Sequence, residues 1–186
     1  MRQETIEIYL FDELSESAKE TARDKFRAMG DLWHWQDDWW QSAQAFSRIA
    51  PIDIREADYS RRDVKIRWNG ISYANRFDHD DSIRELSGIR AWKWLNNNGW
   101  FEWAAKEKLG TYSLTGYCGD TPFGDALMAY ASNPARVPTI EQVFYECAQE
   151  WVNQAADDME YSYSDEVIDE SIRINEYEFT ADGRIH

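Results

Sequence analysis

Three histidines and two cysteines are the groups from which acid–base or nucleophilic chemistry near neutral pH would be built. His34 stands four residues before Asp38, a spacing that places both on one face of a helix. A metal ion could use that pair only with further ligands. The same helical phase turns His34 away from the apolar stripe Leu32, Trp35 and Trp39, as a solvated residue would be. His79 sits in the run Asp78-His79-Asp80-Asp81. Clustered carboxylates suit hard cations and an imidazole suits a transition metal. Consecutive side chains cannot all point at one ion, however, and Ser82 follows as a helix cap. A polar loop leading into a helix N-terminus, where the dipole favours acidic residues, is the stronger reading.

Cys118, in Gly116-Tyr117-Cys118-Gly119-Asp120, would need a histidine beside it to act as a nucleophile, and no protease signature surrounds it. Cys147 falls on the apolar stripe of a helix and reads as core. The chain has no phosphate-binding Gly-rich loop ending in Lys-Ser/Thr, no G-x-S-x-G elbow, no H-E-x-x-H and no C-x-x-C. The residues therefore point to a binding protein rather than an enzyme, with no catalytic, cofactor or metal residue assigned. A metal-dependent hydrolase built on Asp78, His79 and Asp80, or on His34 and Asp38, is the alternative.

Charge carries the positive signal. The 186 residues have a net charge of −15, and residues 140–186 hold 13 acidic and 2 basic residues. Such a field repels nucleic acid and attracts basic surfaces. The candidate contact residues are Asp157, Asp158, Glu160, Asp165, Glu166, Asp169, Glu170 and Glu176. Trp33 and Trp40 join them, because tryptophan is enriched where binding energy concentrates. Carboxylates on one helix face lie about 6 Å apart, whereas duplex DNA carries one charge per roughly 1.7 Å of axis. One acidic helix is therefore too sparse to copy a duplex. Acidity that only keeps a Trp-rich chain soluble is the plainer reading.

The elements that would position these residues read as one α+β domain over residues 1–186: several helices packed on a small antiparallel sheet, with an acidic helical segment at 139–178. Ile6, Ile8 and Leu10 alternate with Glu7, Tyr9 and Phe11, which predicts a strand over Thr5 to Phe11. Ser15 or Ser17 caps a helix to Met29, with Ser17 and Glu20 as a capping box and Ala18, Ala22, Phe26 and Met29 facing inward. Gly30 ends it, and Asp31 starts a second helix to Ile49 with Leu32, Trp35, Trp39, Ala43, Phe46 and Ala50 as its stripe. Val64 to Trp68 and Ile71 to Tyr73 read as a hairpin turning at Asn69-Gly70. Ser82 opens a helix to Asn96, residues 100–118 are ambiguous, and Thr121-Pro122 begins a short helix. Thr139 with Gln142 caps a long helix to Tyr161, and Ser164 caps a last helix over 165–175. Tyr177-Glu178-Phe179 predicts a final strand, a candidate partner for the first.

No run of about 18 apolar residues exists that would span a membrane. Acidic Glu4 and Glu7 exclude a signal peptide at the N-terminus. Two thiols without such a signal imply a reducing, cytoplasmic setting and no disulfide framework.

Two stretches carry a resemblance. One is Phe11-Asp12-Glu13-Leu14-Ser15 followed by Ala18-Lys19 and Ala22. The other is Ser164-Asp165-Glu166-Val167-Ile168-Asp169-Glu170-Ser171-Ile172, then Asn175 to Thr180, then Asp182-Gly183-Arg184; Thr115 to Cys118 is a weaker third. Together they resemble a family of small uncharacterised proteins from tailed phages and integrated prophages. The resemblance covers the two ends of the chain and assigns no active site. It implies a phage origin and a host-cell cytoplasm. By analogy of class, small acidic phage proteins of this kind are similar to inhibitors of host defence, of the anti-CRISPR or anti-restriction type. The expected partner is then a host protein complex with a basic nucleic-acid-binding surface, with no direct nucleic-acid or membrane contact. A phage accessory or structural protein without inhibitory role is the remaining alternative.

Overall fold

The computed structural model describes residues 6–29, 35–62, 65–75 and 81–186. In chain order its elements are β1 (Tyr9–Leu10), α1 (Glu16–Met29), α2 (Trp35–Ile49), β2 (Ile52–Arg62), β3 (Lys65–Asn75), α3 (Asp81–Arg84), α4 (Gly88–Asn97), α5 (Trp100–Lys108), α6 (Thr121–Ala131), α7 (Ile140–Ser162), α8 (Asp165–Ile174) and β4 (Glu178–Phe179). The expected α+β packing is not what forms. Among the described residues eight helices carry the fold, and pairing is limited to β1 with β4 and β2 with β3. The terminal strands are two residues each, and the ambiguous stretch after Asn98 becomes helix α5. Each pairing among the described residues joins two strands only, so the helices pack chiefly on one another, α1 and α8 through alanine, phenylalanine and isoleucine and those of the second unit through stacked rings. No described helix is long and apolar enough to cross a membrane.

The chain divides into two compact units, one of residues 1–33, 63–65 and 158–186 and the other of residues 34–62 and 66–157. In the first, α1 is capped by Ser15, whose hydroxyl accepts the Ala18 N–H at 3.3 Å and whose carbonyl accepts the Lys19 N–H at 2.9 Å. Of the two serines expected as caps, Ser15 takes the role. Ala18, Ala22 and Phe26 are buried as the spacing predicts, while Met29 is exposed. They meet Ile168 and Ile172 of α8, with Phe11, Leu14 and Phe179 completing one apolar cluster. Each large apolar side chain buried this way contributes about 1.5–3 kcal/mol.

The strand expected over Thr5 to Phe11 shortens to Tyr9–Leu10, and its facing reverses: Ile6, Ile8 and Leu10 are 53%, 43% and 51% exposed. A 3₁₀ turn takes Phe11–Glu13 out of the strand. The Glu13 carboxylate accepts the Leu10 N–H at 2.8 Å, and Leu14 donates to the Phe11 carbonyl at 3.2 Å. Phe11 and Leu14 both turn inward as a result, and Phe11 packs against Phe179 with ring centroids 6.1 Å apart. The large ring sets the facing, and a one-residue shift of phase carries the isoleucines outward. The pairing of first and last strands does form, antiparallel, with Tyr9 opposite Phe179 and Leu10 opposite Glu178.

The second unit is built on stacked rings. Phe46 of α2 lies on Phe123 of α6 at 4.0 Å between centroids, and Trp100 of α5 meets Phe144 of α7 edge-on at 4.8 Å. Ile140, Val143, Phe144, Cys147, Trp151 and Ala155 recur at helical spacing along α7 and are all buried. The Thr139 hydroxyl caps that helix by accepting the Gln142 N–H at 3.2 Å. Gly124 lets α6 approach α5, since a Cβ there would lie 2.9 Å from the Glu107 Cβ and 3.1 Å from the Ala104 carbonyl oxygen.

Two local expectations fail in this unit. β3 runs straight through Asn69-Gly70. Two eleven-residue strands pair more backbone groups than the short hairpin the Asn-Gly signal offers. The helix expected from Ser82 to Asn96 breaks into α3 and α4. Gly88 adopts φ +57° and donates its N–H to the Val137 carbonyl at 2.7 Å, while Leu86 accepts from Ile140 at 3.0 Å. That loop-to-loop pairing replaces a continuous helix. The expected start of α2 at Asp31, its Leu32 and the Gly30 stop lie outside the described residues, as does the Trp35 side chain.

Candidate protein-binding surface

Helix α8 is the best-defined acidic element. Ser164 caps it, accepting the Val167 N–H at 3.4 Å. Asp165 and Glu166 then occupy the first turn, where the positive end of the helix dipole favours them. Three rows run along it at four-residue spacing. Ile168 and Ile172 are buried. Asp165, Asp169 and Arg173 form an ion-paired row. Glu166 and Glu170 form an exposed row that ends at exposed Ile174.

The paired row is bound to α1 and its approach. The Asp169 carboxylate takes two hydrogen bonds from Arg23, at 2.7 Å from Nε and 2.8 Å from Nη2. Both side chains are largely buried, 15% and 13% exposed. The Asp169 carboxylate raises the Arg23 pKa above its ordinary value, against the opposing effect of burial. Arg27 donates to Asp165, to Asp24 at 3.1 Å and to the Tyr163 carbonyl at 3.4 Å. Arg173 donates to Asp12 at 2.9 Å and lies 5.4 Å from the centre of the Phe11 ring. Of the residues expected to make contacts, Asp169 is thus largely buried against α1, while Asp165 is paired with Arg27 and still 58% exposed.

The other expected residues divide as follows. Glu160, Glu166, Glu170 and Glu176 are exposed, and their side chains make no ion pair or hydrogen bond among the described residues. Asp158 is half-buried and partnered, and Asp157 is exposed in the other unit. Trp40 is half-buried with its ring 6.3 Å from Trp151, an internal position. Trp33 lies outside the described residues. So do His34, Asp78, His79 and Asp80, the metal candidates other than exposed Asp38.

Three features carried no local signal in the sequence. One is a groove of about 380 Å³ in the first unit, at the C-terminal end of α8. Buried Phe11 and Ile172 and half-buried Tyr177 form its floor, and Asp12, Arg173, Glu176 and Glu178 stand exposed around it. Glu176 has φ +51°, in the left-handed region. The Glu176 N–H reaches the Arg173 carbonyl at 3.1 Å and the Tyr177 N–H the Ile172 carbonyl at 3.3 Å. This is the helix stop usually made by glycine.

The other two are buried carboxylates in the second unit. Glu107 accepts the Ser113 N–H at 3.1 Å and the Ser113 hydroxyl. Asp120 accepts the N–H groups of Leu114 and Thr115 at 3.0 and 2.8 Å and the Thr115 hydroxyl at 2.8 Å. Together they fix the loop between α5 and α6. Cys118 on that loop is exposed, whereas Cys147 is fully buried and burial pushes its thiol pKa up, away from the reactive thiolate. No protein-family model, no curated protein and no solved structure matches the chain.

Proposed function

We propose that this chain is a phage-encoded binding protein that inhibits a host nucleic-acid-targeting defence complex by occupying a basic surface of it, without catalysis. The supporting observation is the division of carboxylates on α8: Asp165 and Asp169 are held by arginines, while Glu166 and Glu170 stand exposed in a row. Like charges at four-residue spacing destabilise an isolated helix by a few tenths of a kcal/mol. A row with no internal partner gains from an external cationic one. The phage origin and the class of target rest on the resemblance at the two ends of the chain. The working interface is Glu160, Glu166, Glu170 and Glu176.

The test is capture of host proteins by the tagged chain at low and high salt, beside a Glu160→Gln/Glu166→Gln/Glu170→Gln variant. A nucleic-acid-binding protein retained at low salt, displaced by duplex DNA and lost with the variant is the expected result. Capture indifferent to salt, DNA and variant overturns the reading.

A further inference from the structure

At the groove at the end of α8 an apolar floor coincides with carboxylates whose side chains have no partner among the described residues. Its volume of about 380 Å³ falls within the roughly 300–1,000 Å³ of ligand-holding clefts. Three negative contributions converge on it. Glu176 and Glu178 are exposed and make no side-chain bond among the described residues. The C-terminal end of a helix adds about half an elementary charge of the same sign. Three cations lie over the Phe11 ring, Arg173 at 5.4 Å, Arg23 at 5.7 Å and Lys19 at 6.0 Å, and each is already paired, with Asp12, Asp169 and Glu16, which leaves Glu176 and Glu178 uncompensated. Leu10, 51% exposed, extends the apolar surface at one side. An occupant that matches both features has an aliphatic stem and a cationic head, as arginine and lysine do.

We propose that this groove is the docking point for an extended, arginine- or lysine-bearing apolar segment of the partner protein, the positive head between Glu176 and Glu178 and the apolar part on Phe11, Ile172 and Tyr177. The inference rests on the reading of the chain as a binder of basic protein surfaces and adds where the contact is centred. A second copy of this chain is the wrong occupant, since each copy carries a net charge of −15.

The experiment is a titration of the full ¹⁵N-labelled chain, followed by amide chemical shifts, with a short acetylated peptide alternating arginine and leucine. A matching peptide of glutamate and leucine serves as control. Saturable shifts at residues 10–12 and 172–178 with the first peptide only are expected. Glu176→Gln or Glu178→Gln should weaken binding about fivefold, the effect of losing one exposed ion pair. Glu102→Gln, exposed in the second unit, should leave it unchanged, and Glu166→Gln/Glu170→Gln should weaken it less than either groove variant. These are exposed, near-isosteric changes whose amide spectra report folding directly. Shifts confined to the Glu166/Glu170 face and abolished by that pair overturn the groove while leaving the acidic-surface reading intact. Equal shifts with the glutamate peptide, concentration-dependent shifts at the groove without peptide, or no saturable shifts overturn the groove as well. The capture experiment then judges the broader reading by itself.

Discussion

Arg23 and Asp169 lie 146 positions apart in the chain and meet in a two-point hydrogen bond, 2.7 Å and 2.8 Å, between α1 and α8. A planar guanidinium against a carboxylate fixes orientation as well as distance. Asp169→Asn keeps the shape, removes the charge and turns one acceptor into a donor facing the fork. We expect a loss of about 2 kcal/mol in urea unfolding, the range of a charged hydrogen bond lost at a mostly buried site. Glu170→Gln, one position on and exposed, should change stability by less than about 0.5 kcal/mol. Equal effects at the two positions would contradict the division of α8 into a holding row and an exposed row.

Gly183 (φ +82°) sits where a Cβ would come within 2.0 Å of the Ala18 carbonyl oxygen and 2.8 Å of its carbon. The obstacle is backbone of α1, which cannot swing aside. Gly183→Ala should cost about 3 kcal/mol or more. Gly116, at φ +80°, has nothing within 4 Å of its would-be Cβ. Gly116→Ala should therefore cost only the left-handed backbone penalty, about 1 kcal/mol. Denaturant midpoints of the two variants separate steric contact from dihedral strain.

What could be read beforehand was periodic and local. The α7 stripe, its Thr139 cap and the Ser164 cap follow from spacing, because the physics involved spans a few residues, whereas the pairing of Tyr9 with Phe179 joins the two ends of the chain and local spacing does not dictate it. The facing of residues 6–10 did not follow, since alternation fixes two faces but not which one the Phe11 turn sends inward. The Asn69-Gly70 signal lost to a longer ladder. The acidic C-terminal segment was legible as a charge excess, but charge density cannot tell Asp169 from Glu170. That distinction depends on Arg23, which the fold brings from the other end of the chain. The groove was invisible for the same reason: Phe11 and Ile172 meet only after α1 and α8 pack.

Asp120 offers a test in the second unit. Its carboxylate receives the N–H groups of Leu114 and Thr115 and the Thr115 hydroxyl in a fully buried position. Asp120→Ala leaves those donors without an acceptor and should cost about 3 kcal/mol. Hydrogen exchange at the Leu114 and Thr115 amides should accelerate strongly. Cys118→Ser, two residues away and exposed, should change neither.

Alkaline pH should weaken the second unit through Tyr130. Burial first, then its hydrogen bond to Glu146, raises the Tyr130 pKa from the ordinary 10.0. Below that value the phenol is protonated in both folded and unfolded chains, and the stability it confers is complete. Above it the unfolded chain ionises while the folded one resists, so stability falls as pH climbs toward the raised folded value. Urea midpoints measured from pH 8 to 11 should therefore decline more steeply for the native chain than for Tyr130→Phe. Parallel curves would show that Tyr130 is no more buried than an ordinary surface tyrosine.

Glu176 should show stability and binding moving in opposite directions. A side chain at φ +51° in a helix stop costs about 1 kcal/mol relative to glycine, whose missing Cβ removes the clash. Glu176→Gly should therefore raise unfolding stability by about 0.5–1 kcal/mol while weakening the arginine–leucine peptide about fivefold. A residue that only ends a helix gains nothing from being glutamate there. If Glu176→Gly stabilises the fold and leaves peptide binding untouched, the carboxylate has no part in the groove. If it stabilises the fold and weakens binding together, the strain is tolerated because the negative charge is needed at that rim.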